Sequence, residues 1–411
     1  MTEPLKHPPS RTGCDHQALA TALAAFVRWL RGAGYTSYDQ YDFWATAYGI
    51  WSKGLYYHHG KLAAPLVLPL IAADWLAPSC RRWLRAPSRF PIADAHYLMG
   101  FLALYRATHE PRHLADALDL ANALLASSIP GFSGHCWGYP FDWQTSRGLW
   151  KRDTPLVTST AYMFDAFMEL HAATGDAAHH AVACSIATFV ANDIRDTPVG
   201  NGWAAGYTPF DTSQVVNASA YRAACLAEAA PLADTEPYRR TAAGNVRFVL
   251  AQQRPDGAWP YSANDPRDQF VDHFHTCFVL QGLYRAYRVL RTPEILRAVE
   301  RGYAYYRRHL FYSDGRPRPF AEREPARLRV LELYDHAEAL TLARLLQDDI
   351  PADDLAASMV AQLLDLQIAP GYFTTRISTA GLRNRVPYHR WAQAQTFCAL
   401  ARHYEHLMTS G

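Results

Sequence analysis

From about residue 94 onward the chain returns six times to one phrase: a helix rich in Ala, Leu and aromatic residues, then a short polar break, then a second, amphipathic helix. The first helices open near Asp94-Ala-His-Tyr-Leu-Met, Thr160-Ala-Tyr-Met-Phe, Asn217-Ala-Ser-Ala-Tyr, His275-Thr-Cys-Phe, His336-Ala-Glu-Ala and Trp391-Ala-Gln-Ala-Gln, at intervals between 55 and 66 residues. Breaks at Thr108-His-Glu-Pro, Thr174-Gly-Asp, Thr235-Glu-Pro, Arg291-Thr-Pro-Glu and Asp348-Asp-Ile-Pro carry residues that stop one helix and start the next. Period-2 alternation is almost absent, so a sheet is not the framework. A helix pair of this kind cannot bury its apolar face alone and must stack on its neighbours.

The last first-helix segment runs to the C-terminus without a partner, and the amphipathic stretch Gln17 to Arg31 can supply it. Joining the ends in this way closes a ring, whereas open arrays of hairpins repeat at about 34–47 residues with short connections. The expectation is an all-α (α/α)6 toroid over 91–411, preceded by an N-terminal helical extension, 1–90, that packs on it and closes it. The residues in excess of a bare hairpin fall before each first helix, at 128–157, 199–216, 254–274, 311–334 and 369–390. In a ring these loops open at one end, around the N-termini of the inner helices, where the helix dipoles favour anionic ligands such as uronates.

Composition narrows the function. Of 411 residues 49% are apolar and 19% charged, which excludes a disordered chain. A formal charge of +2 gives no footprint for a polyanion, so no nucleic-acid partner is expected. Seven scattered cysteines (14, 80, 136, 184, 225, 277 and 398) without a Cys-x-x-Cys pair argue against a disulfide framework and a zinc cage, and for a reducing, cytoplasmic compartment. The most apolar run, Leu62 to Ala73, holds two prolines and stops at Asp74; a transmembrane helix needs about 20 residues, so no transmembrane segment is expected, though visits to a membrane are compatible with it. Homo-oligomerisation is left open.

Leu333-Tyr-Asp-His-Ala-Glu-Ala-Leu-Thr-Leu-Ala resembles the Tyr-Asp-(His/Gln)-Ala-Phe-x-Leu-x-Ala helix of the N-acylglucosamine 2-epimerase superfamily. Arg390-Trp-Ala-Gln-Ala-Gln is similar to that superfamily's Trp-x-Gln-Ala-Glu helix, with Gln395 in place of the usual Glu. The segments Cys136-Trp-Gly-Tyr-Pro-Phe-Asp-Trp-Gln and Asp272-His-Phe-His-Thr-Cys-Phe-Val-Leu look like those of a bacterial family often found with capsule and exopolysaccharide genes. Both resemblances imply an (α/α)6 toroid over about residues 90–408 and carbohydrate chemistry. Such toroids host epimerases, lyases and hydrolases, so the scaffold does not fix the reaction.

The candidate chemistry sits in the long loops. Asp272-His273-Phe274-His275 is the densest cluster; its histidines share a side if extended and diverge by about 200° at a helix start. Asp335 and His336 open the fifth inner helix, Asp335 as its N-cap. His273, His275 and His336 are read as acid/base groups, and removal of His273 or of His336 is each expected to cost about 10²-fold in rate, with Asp272, Asp335, Tyr207 and Asp211 as further catalytic candidates. Trp137, Tyr139, Asp142, Trp143 and Gln144 form a loop rich in stacking rings, joined as substrate-binding candidates by Asn217, Trp259, Tyr261, Arg390 and Trp391. Arg390 is read as neutralising a substrate carboxylate. A His-x-His metal site lacks a third ligand, so no metal and no cofactor are expected.

The reading is an enzyme that moves a proton on a uronate-containing or related saccharide, as epimerase, isomerase or lyase. Glycoside hydrolysis is the alternative. It needs two carboxylates across the bond, from Asp142, Asp211, Asp272 and Asp335, because glutamates near the loops are limited to Glu322, Glu324 and Glu332. A non-catalytic glycan-binding toroid is the third option. Prenyl chemistry is more distant, since it needs an Asp cluster that is missing. Tyr35-Thr-Ser-Tyr-Asp-Gln-Tyr-Asp-Phe-Trp is expected to lay more aromatics across the mouth.

Overall fold

The computed structural model describes residues 15–233, 235–321 and 329–409. Glu322 and Glu324 lie outside them. Three helices lead the chain: α1 (Asp15–Ala33), α2 (Ala47–His59) and α3 (Ala64–Leu76). Eleven more follow: α4 (Pro91–Thr108), α5 (Pro111–Ala126), α6 (Val157–Thr174), α7 (Ala177–Asn192), α8 (Val216–Ala233), α9 (Glu236–Ala251), α10 (His273–Leu290), α11 (Pro293–His309), α12 (Leu333–Leu346), α13 (Asp353–Leu366) and α14 (Ala394–Thr409).

The even-numbered helices from α4 to α14 each pack on the next, and α14 packs on α4, so the ring is closed. These inner helices are apolar nearly all round because both their faces are covered: every residue from Ile92 to Leu104 of α4 is buried. The outer helices α5, α7, α9, α11 and α13 pack on α4, α6, α8, α10 and α12 in turn. The sixth outer helix is α1, which lies on α14. Phe26 stacks on Phe397 with centroids 5.1 Å apart, Arg31 pairs with Asp116 of α5 at 2.5 Å, and Gln367, just past α13, donates to the Ala22 carbonyl at 2.9 Å.

Local chemistry explains the hairpins. Inner helices end on left-handed residues, His109, Gly175 and Arg291, and the outer partners restart with proline in the first turn at Pro111, Pro237 and Pro293, where its missing N–H costs nothing. Two glycines let inner helices approach closely. A Cβ on Gly100 would lie 2.5 Å from the Phe397 ring, and one on Gly282 would lie 2.7 Å from the Ala220 carbonyl oxygen.

Short ribbons stiffen the long loops: β1 (Thr36–Ser37) with β2 (Ser88–Arg89), β3 (Trp143–Thr145) with β4 (Gly148–Trp150), and β5 (Asp196–Val199) with β6 (Gly202–Ala205). The last loops share the three-stranded sheet β7 (Arg329–Glu332), β8 (Arg376–Ser378) and β9 (Arg383–Asn384). All of these lie at the end where the inner helices begin. The remainder of the leader, α2 and α3, is anchored there by Arg81 and Arg376, which share the buried Asp74 carboxylate at 2.5 and 2.8 Å.

Candidate functional site

Two cavities lie along the axis of the ring. The first, of about 280 Å³, opens among the long loops and is lined by the first turns of the inner helices together with the loops and α2. The second, of about 510 Å³, lies deeper among the later turns of the inner helices. Tyr162 and Tyr221 line both, and their hydroxyls hydrogen-bond to each other, so the pair stands between the two.

The deeper cavity is larger, but its charges mostly satisfy one another. Arg285 bonds both Asp165 and Glu228, and Arg402 bonds Glu169, which also takes Arg106. Its remaining carboxyl, Glu338, accepts from Gln281 at 2.9 Å, and burial pushes its pKa up to about 7.

The loop-end chamber also holds polar atoms left open, here amid aromatic rings. His275 gives Nδ1 to the Asp272 carboxylate at 2.6 Å, so its Nε2 is left for a ligand. The Asn217 side chain is buried in the first turn of α8, and neither its Nδ2 nor its Oδ1 has a partner. Buried polar atoms without partners are rare and costly; in a chamber wall they point to a guest. Lys53 of α2 lies over the rings of Tyr41, Trp44 and Tyr57 at 5.4–5.6 Å without a carboxylate partner among the described residues, and burial lowers its pKa to about 8.

Around these stand Trp143 and Trp150, edge to face at 5.3 Å, Trp391 stacked on Tyr334 at 4.6 Å, and Tyr261 stacked on Phe270 and 4.6 Å from the His275 ring. Burial raises the hydroxyl pKa values of Tyr207 and Tyr261, so both remain proton donors. Asp268, also raised chiefly by burial, pairs with Arg147 at 2.9 Å.

No protein-family model matches the chain, and no curated protein does. Solved structures do match. An unsaturated glucuronyl hydrolase specific for heparin superposes with a TM-score of 0.60 at 11% identity, over 96% of this chain and 97% of its own. A cellobiose 2-epimerase from Bacillus thermoamylovorans gives 0.58 at 12% identity, over 76% and 87%. A polysaccharide lyase gives 0.53 at 11%, over 76% and 90%. The fold is the (α/α)6 toroid of carbohydrate-active proteins. At these identities the likeness is one of architecture, and the toroid's residues must speak for the chemistry.

The structure brings His275, Tyr139, Trp143, Tyr207, Asn217, Tyr261, Arg390 and Trp391 to the toroid's chamber. Asp272 stands directly behind His275. Asn217 does not cap α8, since its amide is unpartnered.

Other candidates lie elsewhere. His273 and His275 diverge because α10 starts at His273. His273 is fully buried between the Leu310 carbonyl at 3.0 Å and the Tyr306 hydroxyl at 2.8 Å, and desolvation lowers its pKa to about 3. His336 is likewise closed off by the Glu332 carbonyl and Gln362 at 2.9 and 3.2 Å, with a pKa lowered to about 4 by burial. Asp335 is buried in the first turn of α12, whose N-cap is Glu332 instead.

Trp137 and Trp259 are core residues whose indoles donate to the Leu124 and Val249 carbonyls at 2.9 Å. Asp211 accepts from the Tyr207, Thr208 and Ser213 amides and ties its own loop. Asp142 binds Lys151 and the Arg152 amide near the surface, and Gln144 bonds the Thr145 carbonyl. Asp142, Asp211, Asp272 and Asp335 therefore do not converge, and Asp268 is the one carboxylate among the described residues lining the chamber. Arg390 reaches the chamber with its charge already spent, held by Asp39 through two bonds of 2.7 Å.

Sequence reasoning missed Lys53, Tyr57, Trp150, Tyr334, Arg147 and Asp268. Trp150 and Asp268 lie in loops marked as functional and Tyr334 adjoins Asp335, so those were within reach. The extension is expected to close the toroid, but nothing in the sequence near Lys53 marks that residue as lining the chamber.

Proposed function

We propose that the chain is a carbohydrate-active enzyme that moves a proton on a uronate-containing or related saccharide, as an epimerase, isomerase or lyase. The observation that carries this reading is the Asp272–His275 pair, with the free imidazole nitrogen presented to a chamber walled by Trp and Tyr rings. A carboxylate on one nitrogen fixes the tautomer and supports the imidazolium that forms when the other takes a proton. Tyr207 and Tyr261, held protonated, are placed to return a proton or donate to a leaving oxygen. The rings of Trp143, Trp150 and Trp391 offer faces to a sugar, and a volume near 280 Å³ suits one or two sugar rings at the small end of ligand sites. A carboxylate on the sugar meets Lys53 and the positive ends of the inner helices, in place of the Arg390 role expected from sequence.

The test is incubation with a panel of uronate oligosaccharides in D2O. Deuterium gained without cleavage identifies epimerisation or isomerisation, and an unsaturated product identifies elimination. His275→Ala should lower either rate by about 10²-fold or more. Chain shortening with neither deuterium nor unsaturation, or an undiminished rate in His275→Ala, overturns the proposal.

A further inference from the structure

α3 is apolar nearly all round, yet it buries fully only Val67 and Asp74 and leaves an apolar face to solvent. Pro65, Leu68, Pro69, Ala72 and Leu76 fall at the spacing of one helical face, and all five are exposed, Leu76 by 73%. The one charged residue of α3, Asp74, is turned inward and buried against Arg81 and Arg376. Tyr48 of α2 donates its hydroxyl to the Leu66 carbonyl at 2.8 Å, which sets Tyr48 and Trp51, both exposed, beside this face. Leu62 (88% exposed) lies in the turn before α3, and Trp83 (75%) in the turn after it. Apolar exposure on this scale marks an interaction surface.

The charges around it have one sign. From Phe43 to Arg89 the only acidic residue is Asp74, already neutralised. Lys61 and Arg82 are exposed and have no carboxylate partner among the described residues. We propose that the face formed by α2, α3 and the turns flanking α3 docks on an anionic lipid bilayer, with α3 lying in the headgroup plane. At 13 residues α3 is about 20 Å long, short of the roughly 30 Å hydrocarbon core, so it lies on the bilayer. Tyr and Trp rings favour headgroup depth, and Lys61 and Arg82 meet the negative surface. A second copy of this chain would bring these cations against cations of its own kind, which opposes pairing. The opposite side of α2 carries Lys53 and Tyr57 into the chamber, so attachment holds the chamber beside the lipid surface.

Flotation of the full chain with vesicles tests this. It should float with phosphatidylethanolamine–phosphatidylglycerol vesicles and not with pure phosphatidylcholine, and added salt should weaken the binding. Leu68→Glu with Leu76→Glu should reduce binding at least about tenfold. Lys61→Glu with Arg82→Glu, which leaves the apolar face intact, should do the same and abolish the salt dependence. All four positions are exposed, so the thermal transition should be unchanged. The proposal is overturned if the chain ignores anionic vesicles, binds neutral ones equally, or binds anionic ones with both double variants unaffected. It is also overturned if the chain is a dimer that the Leu68/Leu76 variant splits without any effect of vesicles.

Discussion

Adjacent side chains two residues apart divide the work of α10. His273 fills a sealed place with both ring nitrogens bonded, whereas His275 has one nitrogen bonded and borders the chamber. Replacing His273 by alanine should cost stability, about 2–4 kcal/mol from the cavity and the two orphaned partners, while leaving turnover of the folded fraction near wild type. His275→Ala should do the reverse. Denaturant midpoints read together with rates on the same preparations check the pair. Lys53 makes a second contrast. With Arg390 held by Asp39 and Arg147 by Asp268, it is the cation left for a substrate carboxylate, so Lys53→Met should raise KM for a uronate substrate about tenfold or more with little change in kcat. A matching neutral sugar should be indifferent. An equal loss for both sugars would show that Lys53 shapes the mouth without reading charge.

Helices inside the ring are held close by what they lack. Gly282 of α10 faces the Ala220 backbone of α8, and a Cβ there would meet its carbonyl oxygen at 2.7 Å. Neither helix can yield without moving its other neighbour, so Gly282→Val should destabilise the ring by about 2 kcal/mol or more, outweighing the few tenths gained in helix propensity, as a denaturant melt would show. This element scale is also where the sequence was most legible. The expected inner-helix starts at Thr160, Asn217, His275 and His336 fall within three residues of the observed ones at Val157, Val216, His273 and Leu333, because apolar period, Thr-Pro breaks and helix caps are local signals. The partner for the last helix was legible too, since Gln17 to Arg31 is amphipathic whatever it packs against. What the chain hid was direction within the loops. Trp137 and Trp143 stand in one aromatic phrase, yet the first plugs the core and the second walls the chamber, and only the turn between them decides. That the extension closes the toroid is expected from sequence, but which of its residues reach the chamber is not, because it is held there by contacts distant in sequence, such as Arg376 with Asp74 of α3, which no local pattern announces.

For the molecule as a whole, burial of titratable groups along the ring makes stability depend on pH. Five histidines, His96, His273, His336, His389 and His403, are kept neutral by desolvation, with pKa values lowered to about 4, or about 3 for His273. In the unfolded chain they take protons below about pH 6.5, so from there down to about pH 4 they favour unfolding. Four buried carboxyls act with the opposite sign: Asp42, Asp94 and Glu338 are raised to about 7, and Asp165 to about 6, all chiefly by desolvation. Protonated in the fold and ionised in the unfolded chain above about pH 4, they favour folding as pH falls. The lowered histidines outnumber the raised carboxyls, so unfolding takes up protons on balance in this window. Stability should therefore rise with pH and level off near pH 6.5, where the histidine contribution ends. Removing one opposing carboxyl isolates the balance. Glu338→Gln keeps the shape beside Gln281 and deletes a group that resists the trend, so the slope between about pH 5 and pH 6.5 should steepen by up to about 1.4 kcal/mol per unit. Urea midpoints measured across that range read the slope directly, and a slope in Glu338→Gln equal to the wild type would mean that Glu338 is ionised in the folded ring.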